Sequence, residues 1–125
     1  MIFELPDWAG YLRFSDQFEA VMDPRRYTID WLNMKVATNQ FRPFVGKHAC
    51  IVAEIITYEA TQAREVHGVV AAGDLQEIEE LIPLAEEWGR SLGCIAAQID
   101  SRDGWERVMK KHGYERLKSV IRKEL

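Results

Sequence analysis

Cysteine is scarce in this chain, and the two that occur are not clustered. Cys50 and Cys94 stand apart, each within an apolar stretch. A metal site needs ligands grouped at short spacings, and no such group is present in the sequence. We therefore expect no metal and two reduced, buried thiols of an intracellular protein, with a single disulfide as the alternative.

Long apolar runs and an excess of positive charge are also lacking. No segment is long enough to span a bilayer, and no N-terminal segment has the form of a signal peptide. The formal net charge is -4, whereas nucleic-acid-binding domains carry a basic excess. We therefore expect neither membrane association nor direct nucleic-acid binding, and a location in the cytoplasm.

The residues that are present suffice for one compact domain with one core. Of 125 residues, 47% are hydrophobic and 29% charged, as in ordinary globular proteins. We predict a single domain over residues 1–125. Acidic side chains concentrate after Asp74 and basic side chains after Arg102. These are either two solvated faces or a basic end that meets an acidic or phosphate-bearing partner.

Residues 65–114 organise the predicted fold. They have the pattern of a strand, a long amphipathic helix, a nearly all-apolar strand over residues 94–99 and a short helix that ends at Gly113. Such a strand–helix–strand run forms two parallel strands of one sheet. Asp74 and Glu77 have the spacing of a capping box at the start of the long helix.

Upstream of this stretch, the pattern predicts two short helices and a central strand. Apolar side chains at helical spacing follow Ser15 and Thr28, each of which can cap a helix. Residues 48–58 are apolar on both faces and rich in β-branched side chains, which favours a central strand paired antiparallel with the next one. Residues 114–125 are expected to form a final strand, and residues 1–5 an edge strand.

The order of elements resembles that of the GNAT family of N-acetyltransferases. WERVMKKHGYE is similar to the YEKxGF region of that family, and VVAAGDLQEIEELIPLAEEWGRSLGC resembles small GNAT-like proteins encoded by tailed bacteriophages. The resemblance covers most of the chain. It implies an α/β fold with a single GNAT-like domain, in which a mixed, mostly antiparallel sheet contains one parallel β-α-β crossover and has helices on both faces.

Three positions depart from the pattern of active GNAT enzymes. The family's glycine-rich loop, whose amides hold the pyrophosphate of acetyl-CoA, is shortened here to Ala72, Gly73 and Asp74. A carboxylate at the helix start repels phosphate. The family's general-acid tyrosine falls on Met109, and its asparagine falls on Arg102. The resemblance therefore implies a phage-encoded protein with a degenerate acetyl-CoA site, serving as a non-catalytic binding or virion-associated component.

The alternative is a divergent CoA-dependent N-acyltransferase. Glu54 interrupts an apolar strand, where a carboxylate needs a partner or a cleft, so it is either a general base or one half of an ordinary ion pair. His67 lies in the strand that supplies the base in many GNAT enzymes, and is otherwise a plain strand residue. If the two face each other across the hairpin, they form a proton-transfer pair. Tyr114 or water would be the acid.

Cofactor and partner expectations follow from these two hypotheses. A catalytic chain would use acetyl-CoA, held by Ala72, Gly73 and Arg102 at the carboxyl ends of the crossover strands. Arg102 would otherwise bridge Asp74 or Asp100. A non-catalytic chain needs no cofactor. We then expect a protein partner or self-association through exposed aromatic and charged surfaces, in the cytoplasm of a bacterial host or in the virion.

Overall fold

The computed structural model describes residues 5–100 and 104–125, which form one four-stranded sheet with helices on both faces. The helices are α1 (Trp8–Leu12), α2 (Ser15–Val21), α3 (Ile29–Ala37), α4 (Leu75–Ser91) and α5 (Trp105–Lys110). The strands are β1 (Arg42–Val45), β2 (Ala49–Thr57), β3 (Arg64–Gly73) and β4 (Ala96–Ile99), and they lie in the order β1-β2-β3-β4. Only the β3–β4 pair among them is parallel, so the expected fold class is confirmed.

The central strand β2 is buried on both faces because each face carries a separate core. Cys50 and Val52 pack beneath α1–α3, and the intervening Ile51 and Ala53 pack beneath α4. Successive side chains of a strand point to opposite faces, which produces this alternation. The apolar stretch that predicts a central strand thus serves two cores at once.

Helix α4 connects β3 to β4 and covers one face of the sheet, as the crossover pattern predicts. Its buried stripe consists of Ile78, Leu81 and Ala85. Burial of each large aliphatic side chain stabilises the fold by roughly 1.5–3 kcal/mol. Within the described residues, no helix has the length and apolar character needed to cross a membrane.

One of the two hydrogen bonds of the predicted capping box forms at the start of α4. The Asp74 carboxylate accepts the N–H of Glu77 at 3.0 Å, as predicted. Glu77 does not reach back to Asp74, because the Asp74 N–H already donates to the carbonyl oxygen of His48. The Glu77 carboxylate instead accepts the N–H of His48 at 2.9 Å. The start of α4 is therefore tied to the start of β2.

At the N-terminal end, the number of helices and one cap differ from the prediction. Helix α1 precedes the two predicted helices, and Asp7 caps it by accepting the N–H of Gly10 at 2.8 Å. Thr28 caps α3 as predicted. Ser15 is the first residue of α2 and not its cap. Residues 1–4 of the expected edge strand lie outside the described residues.

The two outer parts of the sheet also differ from the prediction. Residues 42–45 form an additional strand, β1, which pairs antiparallel with β2. The predicted final strand is wrong, since residues 114–125 contain no strand. Their apolar side chains are exposed, namely Leu117, Val120, Ile121 and Leu125. The prediction rests on the one face that Leu117, Ile121 and Leu125 would share in a strand, and it fails because the tail buries none of them.

Candidate functional site

The sheet contains a notch where β3 runs on beyond the end of its pairing with β4. The pairing extends from Glu65–Ala96 to Gly68–Ile99, and residues 69–73 of β3 lie past it. Gly68 allows a close approach at the last pair, because a Cβ there would lie 2.7 Å from Cγ2 of Ile99. The notch lies at the carboxyl ends of two parallel strands, which is where α/β sheets bind ligands.

A β-bulge in β3 coincides with the edge of this notch. The pairing with β2 changes from Val52–Val70 to Ala53–Gly68, so that Val69 is an extra residue on β3. A bulge bends its strand and is frequent next to active sites. The bend therefore falls where β3 parts from β4.

A cavity of about 740 Å³ occupies the notch and continues beneath α2 and α3. This volume is within the range of small-molecule sites. Its lining comes from both faces of the sheet and includes Tyr27, Glu54, His67, Glu86, Trp105 and Met109. Trp105 and Met109 line the cavity without filling it.

Glu54 and His67 form a hydrogen-bonded pair on the wall of the cavity. They are direct partners in the β2–β3 register, and Nδ1 of His67 lies 2.9 Å from Oε2 of Glu54. Their side chains are 29% and 16% exposed, respectively. An ionised carboxylate only accepts hydrogen bonds, so Nδ1 carries the proton and Nε2 of a neutral ring is left with a lone pair. The register thus brings together the two residues that the sequence singles out.

Asp100 adds a second carboxylate on the other side of the imidazole. Its Oδ2 atom lies 3.5 Å from Nε2 of His67, and its side chain is 86% exposed. In the sequence, Asp100 stands out only as a candidate ion-pair partner of Arg102. The signal that could have identified it is its position directly after Ile99, the last residue of a parallel strand.

The start of α4 is already occupied by protein groups. The carboxylates of Asp74 and Glu77 accept backbone N–H groups there, as described above. Gly73 has a φ of +107°, and a Cβ on it would lie 2.2 Å from the carbonyl oxygen of His48. Gly73 is therefore packed against the backbone of β2 and serves the turn between β3 and α4.

Two of the remaining predicted site residues, Ala72 and Tyr114, also line the cavity. Ala72 is buried in the core beneath α1–α3, and Met109 is buried beside the cavity. The Tyr114 hydroxyl donates to Oε2 of Glu86 at 2.6 Å. Burial, reinforced by the Glu86 carboxylate, raises the pKa of Tyr114. Arg102 lies outside the described residues, so its predicted anion contact stays a prediction.

Both cysteines are free thiols, so the alternative of a disulfide is wrong. Burial raises the pKa of Cys50 to about 12, and burial also raises the pKa of the half-buried Cys94. Neither thiol is set up as a nucleophile. Among residues 5–100 and 104–125, no group of three His, Cys, Asp or Glu side chains is placed to hold a metal ion.

No protein-family model matches this sequence, and no curated protein matches it. Solved structures are similar in fold. A GCN5-related N-acetyltransferase from Ralstonia eutropha superposes with a TM-score of 0.72 at 12% identity, over 94% of each chain. An acetyltransferase from Trypanosoma brucei gives 0.71 at 12% identity, over 95% of each chain. Glucosamine-6-phosphate N-acetyltransferase from Arabidopsis thaliana gives 0.70 at 9% identity, over 94% of this chain and 93% of that one.

These likenesses establish the fold and nothing finer. The chain has the fold of the GNAT N-acetyltransferases, as its element order and its WERVMKKHGYE motif indicate. The identities are too low to carry over a substrate or a residue's role. The phage-encoded type and the degenerate acetyl-CoA site stay predictions.

Proposed function

From this fold and its cavity, we propose that the chain is a divergent N-acyltransferase that moves an acyl group from a thioester to an amine. The observation that carries the proposal is the Glu54–His67 pair, held at 2.9 Å on the wall of the open notch. A histidine paired with a carboxylate and facing a cleft is suited to taking a proton. The same cavity has room for an acyl thioester and an amine together.

In the proposed reaction, His67 is the base and Glu54 positions it. Glu54 accepts the Nδ1 hydrogen, which leaves the Nε2 lone pair for the acceptor. Nε2 takes a proton from the acceptor ammonium group, and the resulting amine attacks the thioester carbonyl carbon. The C–N bond forms, the nitrogen gives up its second proton and the C–S bond breaks, so that the departing thiolate takes up that proton and becomes the free thiol. Water relays that proton, because the Tyr114 hydroxyl already donates its hydrogen to Glu86.

The donor would be held mainly at its thioester end. Residues 69–73 of β3 border the open notch and can accept an extended pantetheine-like chain. The start of α4 does not suit a pyrophosphate, since Asp74 and Glu77 place two carboxylates there and the Asp74 N–H is already bonded. We therefore expect S-acetylpantetheine to be used about as well as acetyl-CoA. The cofactor site would thus be degenerate in one respect, which is that it has no place for the pyrophosphate.

The test is acetyl transfer to a panel of primary amines, measured as release of free thiol. Glu54→Gln and His67→Ala should lower kcat by about 100-fold or more, the usual effect of losing a general base and its support. His112→Ala is the matched control, because His112 contacts Glu79 on the surface and does not line the cavity. Circular dichroism checks that each variant is folded. Full activity in both site variants would refute the assignment of the base.

The second candidate is a non-catalytic, phage-encoded GNAT-like protein that binds a partner or is part of the virion. It is favoured by the carboxylates of Asp74 and Glu77 at the start of α4 and by buried Met109 at the position of the family's acid. This hypothesis predicts no heat of binding in calorimetric titration with acetyl-CoA or S-acetylpantetheine, and no turnover with any amine. Saturable binding together with turnover would exclude it.

A further inference from the structure

The exposed carboxylate beside His67 indicates what kind of amine the site accepts. We infer that Asp100 and Nε2 of His67 together bind the ammonium group of a protonated alkylamine, an inference that rests on the proposed acyl transfer. Asp100 would then determine acceptor specificity, while Glu54 and His67 carry out the proton transfer. Three features support this role of Asp100: the spacing of the two atoms, the exposure of Asp100, and the charges that line the cavity.

The spacing fits a shared ammonium group. Oδ2 of Asp100 and Nε2 of His67 are 3.5 Å apart, which exceeds the usual hydrogen-bond distance of about 2.7–3.2 Å. A nitrogen with three hydrogens can lie within reach of both acceptors and donate one hydrogen to each. Because Glu54 accepts the hydrogen on Nδ1, Nε2 is free to act as an acceptor. The two acceptors are therefore close enough to share one ammonium group.

Asp100 is also accessible from solvent. Its side chain is 86% exposed, compared with 16% for His67. Within the described part of the chain, the basic group within ion-pairing distance of its carboxylate is the His67 ring, which is neutral when Nε2 acts as the acceptor. An incoming ammonium group would thus meet Asp100 first and His67 second, without displacing a lysine or arginine in that part of the chain.

The charges around the cavity favour a cation over an anion. The described lining contains four carboxylates, which are Asp23, Glu54, Glu86 and Asp100. Its permanent cations there are Arg26, which lies 3.8 Å from Asp23, and Lys35, which donates to Gln40 at 2.8 Å. These two cations are engaged by neighbours on the helical side of the cavity. The side next to β4 is left with the carboxylate of Asp100.

The same arrangement favours release of the product. When the ammonium group gives a proton to Nε2 and is acylated, its nitrogen becomes a neutral amide. The charge-assisted hydrogen bond to Asp100 is then lost, since such bonds depend on the ionised donor. The substrate is held by its charge, and the product lacks that charge.

The test compares the wild type with Asp100→Asn and with Glu59→Gln, a control that removes an exposed charge from the turn after β2, away from the cavity lining. Binding of n-propylammonium in the absence of thioester is followed through the ring resonances of His67. We expect Asp100→Asn to weaken binding about tenfold, the usual worth of one charge-assisted hydrogen bond. Glu59→Gln should bind as the wild type does. Undetectable binding to the wild type, or equal affinity in Asp100→Asn, would overturn the inference.

A second readout separates this inference from the proposed activity. Acetyl transfer is measured with n-propylamine, which is protonated at neutral pH, and with O-methylhydroxylamine, which is not. Asp100→Asn should lower kcat/KM about tenfold for the first acceptor only. An equal fall for both acceptors would overturn the inference and leave acyl transfer intact. Ammonium binding with no transfer to either acceptor would instead refute the activity and support the binding site.

Discussion

Gly73 provides a sharp test of whether the β3–α4 turn is retained for packing or for binding a donor. The perturbation is Gly73→Ala. The residue has a φ of +107°, a conformation that costs a non-glycine residue about 1–3 kcal/mol. Its new Cβ would lie 2.2 Å from the His48 carbonyl oxygen and 2.6 Å from Cα of Ala49. Both are backbone atoms, so relieving the clash requires β2 to shift, at a further cost of about 1–3 kcal/mol.

Gly93→Ala is the matched control for this variant. Gly93 has a φ of +83°, and a Cβ on it would meet nothing within 4 Å. It therefore carries the conformational cost without the clash. We expect a loss of about 1–2 kcal/mol for Gly93→Ala and about 3–5 kcal/mol for Gly73→Ala. Single domains have stabilities of roughly 0.05–0.15 kcal/mol per residue, so a chain of this length should still fold with either change.

Urea unfolding followed by tryptophan fluorescence measures both losses. With a slope of about 1–3 kcal/mol per molar urea, the difference between the two variants corresponds to a midpoint shift of roughly 1 M. Equal losses in the two variants would refute the packing argument. Unchanged stability of Gly73→Ala together with weaker binding of acetyl-CoA would indicate instead that Gly73 is kept for the donor.

Two further predictions concern the contacts of α4 with the chain that follows β4. Tyr114→Phe removes the hydrogen bond to Glu86 and should lower the free energy of unfolding by about 1 kcal/mol. The kcat should change little if water delivers the proton to the thiolate. A loss of kcat near 100-fold would instead identify Tyr114 as the acid. Glu79 accepts hydrogen bonds from His112 and Lys111, which lower its pKa. Its stabilising contribution is therefore full above about pH 4.3, the ordinary glutamate pKa, and is lost as pH falls through the lower folded value. Glu79→Gln should accordingly be less stable than the wild type at pH 6 and equally stable well below pH 4, as measured by urea unfolding. A difference in the free energy of unfolding that persists in acid would contradict this prediction.

The crossover could be predicted from the sequence because its signals are local and agree with one another. The apolar stripe of α4, the Asp74 cap and the apolar strand before Asp100 each favour the same strand–helix–strand unit. Patterns of this kind depend on residues a few positions apart. The GNAT fold follows from their order, and the similar solved structures support it.

The candidate site could be predicted only in part, because it depends on register and on where pairing ends. The sequence singles out Glu54 and His67, but a slip of one residue would have placed them on opposite faces. Their direct pairing and the bulge at Val69 are properties of the folded sheet. Asp100 was missed as a site residue because its importance comes from its distance to His67 and not from any motif.

The terminal segments were the least predictable parts. Leu117, Ile121 and Leu125 would lie on one face of an extended tail, yet a strand also has to pair with a neighbouring strand, and a shared face does not specify one. Residues 114–125 nevertheless remain outside the sheet, although residues 69–73 of β3 lie past the end of their pairing with β4. The strand β1 is the reverse of the tail, because its sequence does not predict a strand and yet it forms one. Pro43 and the short length of β1 weaken the strand pattern, and pairing with β2 stabilises the strand.

Because the cavity is lined from both faces of the sheet, a ligand bound in it should stabilise the folded chain. Binding can then be detected as increased stability, without any knowledge of the reaction. The walls of the cavity belong to both cores, with Trp31 on the side of α3 and Trp105 on the side of α4. A molecule that fits would bind the folded chain alone, and at 100 times its Kd it would raise the free energy of unfolding by about 2.7 kcal/mol. A thermal-shift screen of amines and thioesters, alone and in pairs, would therefore report which compounds the folded state binds.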